Sequence, residues 1–356
     1  MASLTERLQK NSTIEETDLV SKSKFFHEKD MVTTPVPLLN IAFSGSMTGG
    51  FTSGLTQFAG ESKRFKSLFS MIMVKSYLDK YKDAVCLFYD SEFGAPRTYF
   101  ESLEIDMNRV VHTPITDIEK LKFDIMQQLK EITRKDRVII FVDSIGNLAS
   151  KKEVDDANDQ KSTADLSRAK ALRSLFSMVT PHLTLLDIPM VVVNHTYSET
   201  GMFPKTIVRG GQGMYLSSDN IYIISRSQEK DGMEVYGFKF TIKIEKSRHA
   251  RETSKLPIVV THEGGLQKWS GMLDLAVEGK FVVKSGPGWY QVVDQETGEI
   301  IPQKFRAKTI DNDDFWNPIV STEKFQKYIK DNFQVSHHKL IHNGEEIEVI
   351  GEAEDE

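Results

Sequence analysis

The chain has 356 residues, 39% of them hydrophobic, with 45 Lys and Arg against 51 Asp and Glu and a single cysteine. That length supports one large domain with a smaller companion, and a lone cysteine excludes an internal disulfide framework and fits a reducing compartment. No stretch stays apolar over the ~20 residues a membrane span needs, and the N-terminus lacks an apolar signal core, so a soluble intracellular protein is expected.

Residues 1–30 are polar apart from Phe25-Phe26, an apolar pair that needs a covering surface, either its own core or a neighbouring subunit. An apolar patch over 36–51 then turns through Gly49-Gly50 into a first strand. That strand feeds the loop Gly60-Glu61-Ser62-Lys63-Arg64-Phe65-Lys66-Ser67, and the apolar spacing of Leu68, Phe69, Ile72, Met73 and Leu78 predicts a core-facing helix after it. Further all-apolar runs follow. One at 84–89 contains Cys86, expected to be buried and inert, and ends in Asp90-Ser91-Glu92. Runs at 137–142 and 189–193 end in Asp143-Ser144 and Asn194-His195. Amphipathic patterns at 118–132 and 166–179, the latter stopped by Pro181, predict helices between them. Short apolar runs alternating with helices indicate an α/β fold with a mostly parallel central sheet and helices on both faces. From Asn220 the apolar period becomes two, which predicts antiparallel strands extending the sheet. A small C-terminal α+β module is expected at about 272–333: a short helix, a hairpin around Gly286-Pro287-Gly288 and a last helix over 323–333. Seven of the acids fall in 345–356, leaving 44 elsewhere against 45 bases, so the body is nearly neutral and 336–356 reads as an acidic, disordered tail.

Strand, glycine-started loop, Lys-Ser and helix is the layout of a phosphate-binding loop. Backbone amides and the helix N-terminus meet the anion, Lys66 reaches the outer phosphates and the Ser67 hydroxyl ligates magnesium. The usual glycine before the lysine is replaced by Phe65. In parallel sheets ligands sit at the carboxyl ends of the strands, and here those ends carry Gly60, Glu92, Asp143 and His195. Asp143 can hold magnesium, directly or through water, and Glu92 can orient or deprotonate a water attacking a γ-phosphate. His195 is placed to feel the γ-phosphate and pass its presence into the loop that follows. Two long polar loops open at the same end of the sheet, 150–165 with Lys151 and Lys152, and 196–213 with Lys205, Arg209, Gly210 and Gly211. Their cations and close-approach glycines suit a nucleic-acid backbone. The acidic tail aids solubility or competes for these loops.

From about Ser23 to Phe315 the chain resembles the RecA-type recombinases, and most closely the UvsX recombinases of T-even-like bacteriophages. The resemblance is carried by Ser23-Lys-Phe-Phe, Leu39-Asn-Ile-Ala, Ala59-Gly, Phe65-Lys-Ser, Leu87-Phe-Tyr-Asp-Ser-Glu-Phe-Gly94, Asp143-Ser, Gly146-Asn-Leu-Ala-Ser-Lys-Lys-Glu153, Asn194-His-Thr-Tyr197 and Glu245-Lys-Ser-Arg248. It implies a RecA-like ATPase core over 36–270, an N-terminal oligomerisation segment over 1–35, a small module over 271–335 and the tail beyond. By the same resemblance Glu92 is similar to the catalytic glutamate, and Lys66, Ser67 and Asp143 to the phosphate and magnesium residues. Tyr99 is similar to an adenine-stacking aromatic, and His195 to a γ-phosphate sensor that is a glutamine in bacterial RecA. Lys246 and Arg248 are similar to a basic pair that reaches a neighbouring subunit's ATP. The polar loops are similar to DNA-binding loops. The implied function is ATP- and magnesium-dependent strand exchange between single-stranded DNA and homologous duplex by a head-to-tail helical filament, aided by mediator and single-stranded-DNA-binding proteins in the host cytoplasm. A ring helicase on the same core and a non-hydrolysing DNA-binding scaffold are the rival readings.

Overall fold

Strands that are apolar along their whole length must be covered on both faces, and this requirement organises the molecule. The structure, a computed structural model, describes residues 3–25, 29–159, 167–199 and 205–335. Phe26, the acidic tail 336–356 and parts of both polar loops, 160–166 and 200–204, lie outside the described residues.

Helix α1 (Leu4–Lys10) is closed by a capping box between Ser3 and Glu6. Helix α2 (Pro37–Ser44) is buried at every position, starts on a proline suited to a first turn, and ends at Gly45, whose φ of 68° a side chain would resist. The α/β alternation then runs β1 (Gly54–Ala59), α3 (Lys66–Lys80), β2 (Val85–Asp90), α4 (Arg97–Ser102), β3 (Val110–Pro114), α5 (Ile118–Glu131), β4 (Val138–Asp143), α6 (Lys151–Asn158), α7 (Ser167–Leu186) and β5 (Pro189–Asn194). A small antiparallel ladder, β6 (Thr196–Ser198) with β7 (Thr206–Val208), leads into α8 (Gly211–Ser217). Long strands β8 (Asn220–Asp231) and β9 (Glu234–Lys246), then β10 (Lys255–Thr261) and β11 (Gly265–Leu266), complete a nine-stranded sheet of order β11-β10-β9-β8-β1-β5-β4-β2-β3. Strands β1 to β5 are mutually parallel; β8 is parallel to β1 and antiparallel to β9. The antiparallel extension thus starts one strand later than the period-two pattern suggests.

One core lies on the face covered by α2 and α3, the other on the face covered by α5 and α7. Cys86 is buried, and its burial pushes the thiol well above its ordinary range. The C-terminal elements α9 (Met272–Glu278), the hairpin β12 (Val282–Gly286) and β13 (Trp289–Val292) with β14 (Phe305–Arg306), α10 (Asp313–Val320) and α11 (Glu323–Phe333) contribute Met272, Phe281, Trp316 and Phe325 to the first core, continuous with α2. Among the described residues, no helix is long and apolar enough to cross a membrane.

Three expectations are corrected. Pro181 does not stop its helix: α7 continues to Leu186. A proline costs one helical hydrogen bond and a steric clash, but Val179 and Leu183 lie on the same buried stripe as Leu172, Leu175 and Phe176 and keep the helix seated. The first polar loop is helical over Lys151–Asn158, started by a capping box in which the Ser150 hydroxyl accepts from Glu153 N and the Glu153 carboxylate accepts from Ser150 N. The second is not an open loop at its base, because β6 and β7 pair there in three-residue register.

Candidate active site

Four adjacent strands, β1, β5, β4 and β2, end at one edge of the sheet, with Ala59 beside Asn194 and Asp90 beside Asp143 in register. The loop after β1 leaves at Gly60, where a Cβ would stand 2.6 Å from the Ile224 carbonyl oxygen; the close passage of β8 requires glycine there. The loop ends with Phe65 at the N-cap of α3 in the left-handed region, φ 58° and ψ 19°. This explains why glycine is usual at that position: the backbone turns through a conformation that costs a side-chain-bearing residue about 1–2 kcal/mol. Here the Phe65 ring packs 4.6 Å from the Phe240 ring of β9, contact that offsets part of the cost. Arg64 and Arg226 tie the loop to β8 as well, Arg64 donating to the Arg226 carbonyl at 3.4 Å and Arg226 to the Lys63 carbonyl at 3.3 Å. Glu61 pairs with Arg64 across the loop, and Ser62 lies at its exposed crest.

Lys66 is buried, and its ammonium donates to the Glu61 carbonyl at 2.7 Å, within the curl of the loop. Burial lowers its pKa, while Glu92 and Asp143 nearby favour its charge. Ser67, one residue into α3, lies beside Asp143, and its hydroxyl favours the charged carboxylate. Asp143 is 4% exposed, and its Oδ1 has no hydrogen-bond partner. Burial, joined by the negative charges of Glu92 and Asp90, pushes its carboxyl up to about 6 against the opposing pull of Ser67 and Lys66. A buried carboxylate oxygen with nothing to bind is a place for a cation. Among the described residues there is no cluster of three or more His, Cys, Asp or Glu side chains able to hold a metal, so the donors here are one carboxylate and one hydroxyl. That sparse oxygen set fits magnesium, which keeps several waters and takes its remaining ligands from phosphates.

Glu92 follows β2, where Asp90 Oδ1 accepts from the Glu92 and Phe93 amides at 3.1 and 2.8 Å and shapes the turn. Its Oε1 accepts from His195 Nε2 at 2.9 Å and from Ser144 Oγ at 2.5 Å. A carboxylate only accepts, so His195 carries its hydrogen on Nε2. The His195 hydrogen bond outweighs partial burial and, with Ser144 and Lys66, holds Glu92 at about 2, ionised throughout the physiological range. Residues expected to act separately, Glu92 as base and His195 as sensor, are therefore in direct contact.

Behind them lies a polar chain whose mutual contacts, and whose Arg168, no motif signals. Asn147 Oδ1 accepts from Arg209 at 3.2 Å while its Nδ2 lies 3.4 Å from His195 Nε2. Asn194 Nδ2 donates to the Arg209 carbonyl at 2.7 Å. Arg168 of α7 donates to the carbonyls of Ile145, Gly146 and Leu148 at 2.8, 2.8 and 2.9 Å, holding the turn after β4. Gly146 must lack a side chain, since a Cβ there would stand 2.2 Å from His195 Cδ2.

Other sequence candidates lie apart from this cluster. Tyr99 is 45% exposed on α4, its ring open to solvent. Lys151 and Lys152 occupy the exposed first turn of α6; Lys205 and Arg209 flank β7, and Gly210 and Gly211, with φ of 107° and 73°, turn the chain into α8. Lys246 and Arg248 sit where β9 leaves the opposite side of the sheet. Arg248 Nε donates to Asp219 Oδ1 at 2.5 Å, and Asp219 Oδ2 accepts from Leu55 N at 2.8 Å at the start of β1. Leu55 is five residues before Gly60, roughly 16 Å along a strand. Within one chain the basic pair and the phosphate loop occupy opposite ends of β1.

A mostly parallel sheet with a lysine–serine loop at one strand end and a buried aspartate at another defines the class of phosphate-loop ATPases. Comparison with known proteins refines this. Residues 269–329 match the family model described as the C-terminal domain of the bacteriophage T4 recombination and repair protein. Over 339 residues the chain is 46% identical to the recombination and repair protein of Enterobacteria phage T4, covering 94% of this chain and 87% of that one. It is 25% identical over 216 residues to the RecA protein of Acholeplasma laidlawii, 60% of this chain and 63% of the relative. To RecA of Rhizobium leguminosarum it is 22% identical over 268 residues, 74% and 72% of the two chains. The chain belongs to the family of the phage T4 recombination and repair protein, the UvsX branch of the RecA-type recombinases.

Proposed function

We propose that the protein is an ATP-dependent recombinase of DNA recombination and repair, which coats single-stranded DNA as a helical filament, pairs it with homologous duplex and hydrolyses ATP when DNA is bound. The observation that carries this reading is the gathering of Lys66, Ser67, Asp143, Glu92 and His195 at one edge of the sheet, with Asp143 presenting a buried oxygen that lacks a partner. Lys66 leaves the Glu61 carbonyl for the outer phosphates, and the loop amides and the start of α3 receive the β-phosphate. Ser67 and Asp143 hold magnesium, which when bound neutralises phosphate charge. Glu92, ionised and held in place by Ser144 and His195, accepts a hydrogen bond from the attacking water and orients it. His195 touches this carboxylate through its ring and accepts from the Arg209 amide through its carbonyl at 2.9 Å, which suits a sensor linking nucleotide to the second polar loop. Tyr99 stacks on the adenine.

Lys246 and Arg248 lie too far along β1 to serve their own loop. They complete a neighbouring subunit's site, where they stabilise charge in the transition state. A contact made head to tail in this way propagates as an open helix. Lys151, Lys152, Lys205 and Arg209 neutralise DNA phosphates, and the backbone at Gly210 and Gly211 approaches them closely. Residues 36–270 form the ATPase core, 1–35 the oligomerisation segment and 271–335 a module seated on α2. Mediator and single-stranded-DNA-binding proteins are expected partners in the host cytoplasm.

Electron microscopy with single-stranded DNA and a slowly hydrolysed ATP analogue tests the reading. Continuous helical filaments are expected. Closed rings would replace it with the helicase, and absence of nucleotide binding with the scaffold.

A further inference from the structure

Helix α8 joins two parts of the molecule that the reaction must coordinate. It starts at Gly210-Gly211, directly after Arg209, and its seven residues span about 10 Å. The last four carbonyls of a helix have no partner inside it. The Met214 carbonyl accepts from the amide and hydroxyl of Ser218 at 3.1 and 2.9 Å. The next two, of Tyr215 and Leu216, accept from the ammonium of Lys246 at 3.0 and 3.2 Å, and that ammonium lies 5.4 Å from the Tyr215 ring centroid. A cation is favoured at this end of a helix by its carbonyls and dipole. Tyr215 and Leu216 are themselves 38% and 66% exposed, so the outer face of α8 beside Lys246 is apolar and open. Arg248, two residues on, is held instead by Asp219, which is bonded to β1. The two basic residues therefore have different keepers, one in the link after α8 that is tied to the start of β1 and one on α8 itself, which continues from the second DNA loop.

We infer that Tyr215 and the C-terminal carbonyls of α8 are a catch that positions Lys246, so that displacement of Arg209–Gly211 on a polynucleotide backbone frees the ammonium for the neighbouring subunit's nucleotide. The inference rests on the trans role of Lys246 proposed above and adds the element that makes it depend on DNA. Tyr215 is a positioning residue, since it acts through Lys246.

The test is turnover by the full-length protein with and without single-stranded DNA. Tyr215→Ala removes the ring that favours the held position and is expected to raise DNA-independent turnover about two- to five-fold, the span of an exposed cation–π contact. The DNA-saturated rate stays near wild type, so the stimulation ratio falls by the same factor. Tyr215→Phe keeps the ring and restores the wild-type ratio. An unchanged ratio in Tyr215→Ala, or Tyr215→Phe behaving like Tyr215→Ala, overturns the catch. Mixing Glu92→Gln with Lys246→Ala subunits tests the underlying trans role separately. DNA-dependent turnover well above that of either variant alone is expected, because some junctions pair an intact Glu92 with an intact Lys246. No recovery overturns the trans role and the catch together, whereas recovery with an unchanged Tyr215→Ala ratio overturns the catch alone.

Discussion

Asp143→Asn should make the nucleotide-free protein more stable while it removes the carboxylate proposed to hold magnesium. Carrying a charge in this buried position raises the carboxyl from its ordinary 3.8 to about 6. That difference corresponds to about 3 kcal/mol of native-state cost above pH 7. Because the folded-state value is the higher one, the cost is absent below 3.8, grows as the pH rises and is complete above 6. Between pH 5 and pH 8 the advantage of the asparagine variant should grow by about 1.4 kcal/mol. For a chain of this size that is about 2–3 °C in the difference between the two melting temperatures. Whatever the buried amide group of asparagine costs is the same at both pH values, so the change with pH isolates the charge. Thermal melts at pH 5 and pH 8, without magnesium or nucleotide, measure it. A variant whose melting difference from wild type is the same at both pH values, or larger at pH 5, refutes the electrostatic account. Magnesium with ATP should raise the wild-type melting temperature more than the variant's, since only the wild type offers the carboxylate.

Phe65→Ala should lose roughly 1–3 kcal/mol with the Phe240 contact, the ring being partly exposed. Phe65→Gly loses the same contact but relieves the left-handed backbone, so it should melt above Phe65→Ala by about 1 kcal/mol; the reverse order would deny strain at this residue. Gly146→Ala forces His195 away from Glu92 and should lower DNA-stimulated turnover at least about ten-fold with ATP binding retained, measured by hydrolysis and nucleotide titration. Glu92→Gln should keep ATP and DNA binding and lose about 10²–10⁴ in turnover; wild-type turnover would remove Glu92 from the mechanism.

Much of this protein is legible in its sequence because the signals are local. Apolar runs too short for helices, each ending in a polar residue, announce a parallel sheet and place Gly60, Glu92, Asp143 and His195 at one edge before any coordinate is known. Lys66 and Ser67 follow from the strand–loop–helix layout alone. The final helix is read correctly over 323–333, since its apolar period and Thr322 cap are contained within it. Pro181 was misleading for the opposite reason: a local rule yields when a long buried stripe holds the helix on both sides. The tertiary structure alone decided the rest, all of it contacts between residues far apart in the chain. Phe65 substitutes for glycine because Phe240, on another strand, supports it. Glu92 meets His195, 103 positions away, and Lys246 meets the end of α8, about 30 positions away. Asp143 is perturbed by burial, which depends on the whole packed chain and on no neighbour in sequence. Composition and spacing specify which groups reach the edge of a sheet; only the packed chain specifies which of them touch, and how strongly each is charged.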